Sequence, residues 1–222
     1  MKLDGKIAYV TGGARDIGRA VSIKLSLEGA KVVINYFDNL EDAKETLKII
    51  QQKGGEAIIV QGDMTKANEV KRFFETGIAT YGNKIDILVN VVGGIMGRKK
   101  ITEQDESWYS ALMDVNMKSC WLCTREVVPY MTEGGSIINF SSLAARDGGG
   151  SGASMYATAK GAVMTFTRAM AKELGPKGIR VNAVAPGTIA TSFHDKFNTP
   201  ENRERMKAIY PLRREGDEDD VA

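Results

Sequence analysis

Short apolar runs alternate with longer amphipathic segments along the whole chain. Six runs rich in β-branched residues predict strands at 6–11, 31–36, 56–61, 85–90, 135–142 and 179–186. Between them, apolar residues recur at helical spacing over about 17–28, 40–53, 66–81, 103–131 and 154–174, and more weakly over 192–209. Several strands are apolar at nearly every position, which indicates that helices cover both faces of the sheet. The pattern therefore predicts one α/β domain over residues 1–222, built on a doubly wound parallel sheet.

Composition narrows the class of protein. The formal net charge of +2 is too small to favour nucleic acid or an anionic membrane as a partner. No apolar run reaches the roughly 20 residues of a membrane span, and no signal peptide is expected because the N-terminus leads directly into a strand pattern. With two cysteines and one histidine, neither a disulfide framework nor a metal site is expected, and a reduced, cytoplasmic compartment is favoured.

The sequence "TGGARDIG", residues 11–18, ends the first strand and opens the first helix. In an open parallel sheet, ligands bind beyond such strand ends. Gly12 and Gly18 lack side chains, so the backbone can approach a phosphate, and the free amides of the helix start attract its charge. Asp16 is interpreted as the N-cap of the helix, with an ion pair to Arg15 or Arg19 as the alternative. The turn therefore favours a nucleotide site.

The sequence "YATAK" carries the strongest chemical signal. Tyr156 and Lys160 are four residues apart, so they share one face of a helix. A phenol loses its proton at about pH 10, and a neighbouring ammonium lowers that pKa because it stabilises the phenolate. Tyr156 can then give a proton to a carbonyl oxygen as hydride reaches the carbon, or take it back in reverse. Ser142 ends the preceding strand, so the predicted sheet brings it to the same edge.

The chain resembles the short-chain dehydrogenase/reductase family over essentially its whole length. The motifs that carry the resemblance occur in order: "TGGARDIG" (11–18), "GDM" (62–64), "NVVGG" (90–94), "DVNMKS" (114–119), "SSLAA" (141–145), "YATAK" (156–160) and "VAPGTIATSF" (184–193). The resemblance implies a Rossmann-like fold and reversible hydride transfer between a nicotinamide cofactor and a carbonyl. Among members of the family, the chain is most similar to 3-oxoacyl-(acyl-carrier-protein) reductases.

By the same resemblance, four residues form the active site: Asn116, Ser142, Tyr156 and Lys160. Tyr156 is the acid/base, and Ser142 hydrogen-bonds the substrate oxygen. Lys160 binds the nicotinamide ribose and lowers the pKa of the tyrosine, while Asn116 holds a water in the proton relay. Ser142 is preferred to the adjacent Ser141 because it directly precedes "LAA".

The resemblance also implies which residues contact the cofactor. From the pyrophosphate through the adenosine to the nicotinamide, they are Gly12, Ile17, Gly18, Asp63, Met64, Asn90, Gly93, Tyr156, Lys160, Pro186, Gly187, Ile189 and Thr191. Two positions depart from the family pattern. Asp16 replaces a glycine, and "NVVG" replaces the usual Asn-Asn-Ala-Gly.

The choice between NAD and NADP depends on charge at the end of the second strand. NAD-selective enzymes place a carboxylate there to bond the ribose 2′-hydroxyl, whereas this chain has Tyr36. A 2′-phosphate is then not repelled, and Arg15 can pair with it. Asp38 favours NAD(H) if it points inward. NADP(H) is therefore favoured over NAD(H) as the cofactor.

A short basic segment after the fourth predicted strand bears on the choice of substrate. The basic residues 98–100 indicate either a solvated loop or attraction of an acidic substrate or carrier. We expect a small-molecule carbonyl substrate, either free or carrier-bound, and a 3-oxoacyl thioester is the favoured substrate. Sugars, uronates or other small polar ketones are the alternative, and a non-catalytic nucleotide-binding regulator is the alternative of another class.

Cys120 and Cys123 are interpreted as buried packing rather than a redox pair. His194 is either a lid contact or solvated.

The last residues, "PLRREGDEDDVA" (211–222), predict a loop and the opening of another helix. Members of the family continue through that helix and one further strand. We therefore expect these elements to be missing from the sequence, with the sixth strand left on an exposed edge. A homodimer or homotetramer is expected for the complete protein.

Overall fold

Six strands form one parallel sheet in the computed structural model, which describes residues 1–192 and 199–222. They are β1 (Ile7–Thr11), β2 (Lys31–Tyr36), β3 (Glu56–Gln61), β4 (Ile87–Asn90), β5 (Ser136–Phe140) and β6 (Arg180–Val184). Their order is β3-β2-β1-β4-β5-β6, and every neighbouring pair is parallel. The predicted doubly wound fold is confirmed. The strand order reverses between β1 and β4, which is where such sheets bind ligands.

Eight helices connect the described strands or follow them. They are α1 (Asp16–Leu27), α2 (Leu40–Gln52), α3 (Ala67–Tyr81), α4 (Glu106–Met113), α5 (Ser119–Val127), α6 (Ala144–Asp147), α7 (Ser154–Leu174) and α8 (Pro200–Ile209). The predicted helix over 192–209 is thus found from Pro200 onward, and residues 193–198, with His194, lie outside the described residues. No helix in the described part of the chain is both long and apolar enough to cross a membrane.

The helix predicted over 103–131 begins later, at Glu106, and is interrupted by a turn of different pitch. Asp105 caps the true start by accepting a hydrogen bond from the Trp108 backbone N–H at 2.7 Å. A π-helical turn, Asp114–Lys118, then separates α4 from α5. Apolar spacing continues through the turn, so periodicity alone does not reveal the break. Such turns often mark functional sites, and this one contains Asn116.

Two apolar cores lie on opposite faces of the sheet because alternate strand residues point to opposite sides. On one face, Tyr9 is fully buried between Phe73 and Phe74 of α3, with ring centroids 5.4 and 4.9 Å away. On the other face, Val10 packs among residues of β2 and the helices α1 and α2. Burial on both faces accounts for the apolar strands and fixes the sheet edge that carries the site.

Candidate active site

The backbone of the glycine turn after β1 folds back tightly, so that Gly12 and Gly18 lie close together. Gly12 has φ 61°, in the left-handed region that favours glycine, and a Cβ on Gly18 would lie 2.0 Å from the Gly12 carbonyl oxygen. The Gly12 N–H donates to Asn35 Oδ1 at 3.1 Å. Any side chain at Gly18 would therefore force the turn open. The tight turn leaves main-chain amides at the start of α1, as a pyrophosphate requires.

Asp16 is not the N-cap that the sequence predicts. Arg15 occupies the N-cap position with extended backbone, and no side chain caps the helix there. Asp16 has φ 48°, and its carboxylate accepts hydrogen bonds from the backbone N–H of Ser192 at 3.0 Å and from the Ser192 hydroxyl at 2.6 Å. Of the two alternative ion pairs, that with Arg15 is present at 3.8 Å, whereas Arg19 pairs with Asp42.

Tyr156 and Ser142 meet at the carboxyl end of β5. Tyr156 lies in the first turn of α7, and Ser142 follows the last residue of β5 by two positions. Burial raises the pKa of Tyr156, and a hydrogen bond from the Ser142 hydroxyl partly opposes this, so the pKa stays above its ordinary value. Ser141 is buried, and its hydroxyl donates to the Lys160 carbonyl at 2.8 Å. The arrangement leaves Ser142, and not Ser141, facing the phenol.

Lys160 is buried on the same helix. Its side chain is 3% exposed, and its Nζ donates to the Phe140 carbonyl at 2.7 Å. Burial lowers the pKa of Lys160 to about 8, because the charged form loses its hydration. The predicted lowering of the Tyr156 pKa by Lys160 is not found, since burial and Ser142 are the causes acting on that phenol. Burial of the tyrosine, which spacing along a helix does not reveal, has the larger effect on its pKa.

Gly93 brings Lys160 and Asn116 together. A Cβ on Gly93 would lie 2.6 Å from Lys160 Nζ and 2.7 Å from Asn116 Oδ1, so only glycine leaves room for both side chains. Asn116 is buried, and its amide accepts from the Gly94 N–H and donates to the Gly94 carbonyl, both at 2.9 Å. A third bond reaches Leu112. Both N–H groups of the Asn116 amide are therefore used, and the relay water predicted for this residue stays a prediction.

Two buried polar side chains, which the sequence analysis missed as site residues, hold the strand ends in place. Thr11 Oγ1 accepts from the backbone N–H groups of Val91 and Val92 at 3.1 and 3.3 Å. The Asn35 amide accepts from Gly12 and donates to the Gly62 carbonyl at 2.9 Å. The available signal was a polar residue at the end of an otherwise apolar strand. Together they align the ends of β1, β2, β3 and β4 into one cleft.

Three residues predicted to contact the adenosine, Asp63, Met64 and Asn90, differ in burial. Met64 is 2% exposed and packs in the core, with its sulfur 3.8 Å from the Cys123 sulfur. The Asn90 amide is buried and donates to Asn139 Oδ1 at 2.9 Å. Both side chains thus complete internal packing, and contact of these two residues with the adenosine stays a prediction. Asp63 is half-buried, and its carboxylate accepts from the Thr65 N–H at 2.8 Å.

The loop after β6 lies beside Ser142. The Pro186 carbonyl accepts from the Leu143 N–H at 2.9 Å, which joins the loop to the residue that follows Ser142. Ile189 is buried and forms a parallel bridge with Gly216. Thr191 is also buried and donates its hydroxyl to the Ile189 carbonyl at 3.3 Å. Gly187 is exposed on the same loop. We call residues 186–192 the nicotinamide-side loop.

The cysteine pair is packing, as predicted. Cys120 and Cys123 are both buried and free. Burial raises the pKa of Cys120 to about 12 and that of Cys123 well above its ordinary value, so neither is a reactive thiolate. Within residues 1–192 and 199–222, no group of histidine, cysteine and acidic side chains is arranged to hold a metal ion.

The chain is similar to known oxidoreductases over nearly its whole length. The family model described as "Enoyl-(Acyl carrier protein) reductase" matches residues 12–222. An uncharacterized oxidoreductase of Escherichia coli K12, YgfF, is 36% identical over 221 residues, which is 97% of this chain and 89% of that protein. The chain belongs to the short-chain dehydrogenase/reductase family. It is therefore an NAD(P)-dependent oxidoreductase. Alignments with several other curated relatives span 54–58% of their length.

Solved structures of this family share the fold closely. A short-chain dehydrogenase from Burkholderia cenocepacia J2315 in complex with NADP has a TM-score of 0.91 at 31% identity, covering 100% of this chain and 89% of that one. The NADH-dependent reductase A1-R′, responsible for alginate metabolism, has a TM-score of 0.90 at 30% identity, covering 99% and 87%. One of these two proteins is thus described with NADP and the other with NADH.

The residues present fit a dinucleotide. The tight turn at Gly12 offers backbone amides, and the open surface at Gly93 lies directly over Lys160. When bound, a reduced nicotinamide supplies hydride to a carbonyl carbon. This chain supplies the rest: Ser142 can donate a hydrogen bond to the carbonyl oxygen, and Tyr156 can deliver the proton. A raised tyrosine pKa keeps that proton in place until it is needed.

The burial of Lys160 predicts a pH-dependent stability difference. Its pKa is about 8 in the folded protein and 10.5 when exposed, so between these values the unfolded chain binds more protons and stability rises with pH. A Lys160→Met variant has no such group. We expect its free energy of unfolding, minus that of the wild type, to fall by about 3 kcal/mol as the pH rises from 8 to 10.5. Urea unfolding at both pH values measures this difference, and a constant difference would contradict the burial of a charged Lys160.

Proposed function

We propose that this enzyme uses NADPH to reduce 3-oxoacyl thioesters to 3-hydroxyacyl thioesters. The observation that carries the proposal is the meeting of Ser142 and Tyr156 beside the buried Lys160. A ketone oxygen placed between the serine and tyrosine hydroxyls receives a hydrogen bond from one and a proton from the other. The reaction adds one hydride and one proton across the carbonyl.

Apolar side chains beside the site favour an acyl substrate. Met96 and Leu143 are 50% and 44% exposed, and they lie on the loops that follow β4 and β5. The Lys99 N–H donates to the Gly152 carbonyl at 3.2 Å, which joins the β4 loop to the segment before α7. Exposed apolar groups at a site entrance suit a hydrocarbon chain.

Basic side chains on the β4 loop favour an anionic group on the substrate or its carrier. Arg98 is exposed and donates to the Ser151 carbonyl at 3.1 Å, while Lys99 lies over the Trp108 ring at 4.5 Å. Both cations are thus held on the loop, and Lys100 beside them is exposed. A carrier-bound thioester supplies a phosphate for such a cluster to attract.

A uronate-type ketone is the second candidate. It is favoured by the likeness to a reductase of alginate metabolism, and the same basic loop suits a carboxylate. We expect acetoacetyl-coenzyme A to be reduced with a kcat/KM at least about tenfold above that of a small keto-uronate, a difference of about 1.4 kcal/mol in transition-state binding. Absorbance of NADPH at saturating cofactor measures both. The opposite ranking would replace the thioester proposal by the uronate one.

The cofactor proposal depends on Arg15. Its side chain is 62% exposed, and the end of β2 presents half-buried Tyr36 and exposed Phe37 instead of a carboxylate. Asp38, the nearest acid, is exposed. We expect kcat/KM with NADPH to exceed that with NADH, and Arg15→Ala to lower the NADPH value by about tenfold with little effect on NADH.

Arg168→Ala is the matched control, because Arg168 is also exposed but lies three turns beyond Tyr156 on α7. It should leave the NADPH-to-NADH ratio unchanged. Equal losses with both cofactors in Arg15→Ala would remove this arginine from 2′-phosphate recognition. A wild-type preference for NADH would contradict the cofactor proposal itself.

A further inference from the structure

Asp16 and Ser192 join two walls of the cofactor cleft. The residues are 176 positions apart, one in the glycine turn after β1 and the other at the end of the nicotinamide-side loop beyond β6. Both carboxylate oxygens take part: Oδ1 accepts from the Ser192 N–H at 3.0 Å, and Oδ2 from its hydroxyl at 2.6 Å. We call this pair the clasp. It connects strands that lie three places apart in the sheet order.

The unfavourable backbone conformation at Asp16 indicates that its carboxylate makes a contact that glycine could not make. With φ 48°, the residue is in the left-handed region, which glycine adopts freely and other residues adopt at a cost of about 1 kcal/mol. Aspartate is one of the few residues that tolerate this region. Glycine would satisfy the turn without strain, so what aspartate adds is the carboxylate, and the contact that this carboxylate makes across the cleft is with Ser192.

The rest of the nicotinamide-side loop is fixed at its other points. Pro186 is bonded to Leu143 beside the catalytic Ser142, and Ile189 is bridged to Gly216. Ser192 is the far end of this loop, and the clasp fastens that end to the turn predicted to hold the pyrophosphate. A dinucleotide extended between the glycine turn and Ser142 would therefore lie beneath a loop fastened at both ends.

We propose that Asp16 is a positioning residue that holds the nicotinamide-side loop closed over the bound dinucleotide and slows its release. The inference rests on the proposed function only in that a nicotinamide cofactor binds this cleft. The clasp must open for the cofactor to leave. Arg15, whose Nε is 3.8 Å from the carboxylate, keeps an exposed guanidinium beside the clasp.

The first test is the rate of cofactor release, measured by stopped-flow fluorescence of NADPH displaced by excess NADP⁺. Asp16→Gly removes both hydrogen bonds and relieves the backbone strain, and we expect release to become about tenfold faster. Ser192→Ala keeps the backbone N–H bond, so a smaller increase of about threefold is expected. The double variant should release NADPH no faster than Asp16→Gly alone, because both changes break the same contact.

Asp16→Asn is the conservative variant. Asparagine also tolerates the left-handed region, and its amide oxygen can accept one of the two bonds, so release should be intermediate. Glu45→Ala is the matched charge control, since Glu45 is an exposed acid on α2. It should release NADPH at the wild-type rate.

A second measurement needs no cofactor. Hydrogen exchange of the ligand-free enzyme should show faster exchange of the Ser192 amide in Asp16→Gly, since that N–H donates to the carboxylate. The Glu45→Ala variant should not change it. A purely structural role of Asp16 in the glycine turn would instead alter exchange in α1 and leave the loop unaffected.

Three results would overturn the clasp. The first is that the rate of NADPH release and the hydrogen-exchange rate of the Ser192 amide both stay within twofold of wild type in Asp16→Gly and Ser192→Ala. Tighter NADPH binding in Asp16→Gly would mean that the carboxylate acts mainly by repelling the pyrophosphate. Failure of the wild type to bind either cofactor would contradict the clasp and the proposed function together. By contrast, normal cofactor binding without thioester reduction would contradict the proposed substrate alone and leave the clasp tests valid.

Discussion

Tyr156→Phe should reduce turnover by about 10³- to 10⁴-fold while leaving cofactor binding within about twofold of wild type. The change removes a single oxygen, the one that meets Ser142 at the end of β5. Without it, the proton that Tyr156 would deliver to the ketone oxygen is missing as hydride arrives. The measurement is steady-state NADPH oxidation, with fluorescence titration of NADPH as the binding readout.

Tyr109→Phe is the matched control for this change. Tyr109 is 52% exposed on α4, so loss of its hydroxyl should leave both turnover and binding unchanged. Turnover within tenfold of wild type in Tyr156→Phe would contradict the assignment of Tyr156 as the proton donor. Equal losses of turnover and cofactor binding would assign it to binding instead.

Gly93→Ala should be the second most damaging single change in the site. Its Cβ would lie 2.6 Å from Lys160 Nζ and 2.7 Å from Asn116 Oδ1. Neither group can retreat freely, because Lys160 is 3% exposed and bonded to Phe140, and Asn116 is bonded on both sides of its amide. We expect turnover to fall by about 100-fold and stability by about 1–3 kcal/mol, the usual cost of overpacking.

Gly94→Ala provides the comparison, since a Cβ at that neighbouring position meets no atom within 4 Å. It should keep the wild-type stability. Thermal unfolding and NADPH oxidation of the two variants measure the difference. If Gly93→Ala retains wild-type stability and turnover, then Lys160 and Asn116 are not held together beneath Gly93 as the structure shows.

Much of this architecture follows from local rules in the sequence. The strands could be predicted because burial on both faces makes a strand such as Lys31–Tyr36 apolar throughout, and the structure has the same bounds. The pairing of Tyr156 with Lys160 follows from helical spacing alone, and α7 begins two residues before Tyr156, as the pattern predicts. In both cases the information is contained within a few neighbouring residues.

Local sequence patterns fail where a contact or a pKa depends on residues that are far apart in the sequence. Asp16 has the composition of a helix cap, but its partner is Ser192, 176 positions away, and no local rule identifies that contact. The Asn90 amide likewise bonds Asn139 and Thr124 in the interior, and both partners are distant in the sequence. The pKa of Tyr156 was predicted from its charged neighbour, whereas burial, which depends on the whole fold, has the larger effect.

Ser142, Tyr156 and Lys160 are expected to converge beside a nicotinamide ring. A crystal structure of the enzyme with NADP⁺ measures this directly. We expect the pyrophosphate at the Gly12–Gly18 turn and the nicotinamide ribose within hydrogen-bond distance of Lys160 Nζ. Ring carbon C4 should face the Tyr156 hydroxyl beneath the loop fastened by Asp16. A nicotinamide bound away from these three side chains would contradict this expectation.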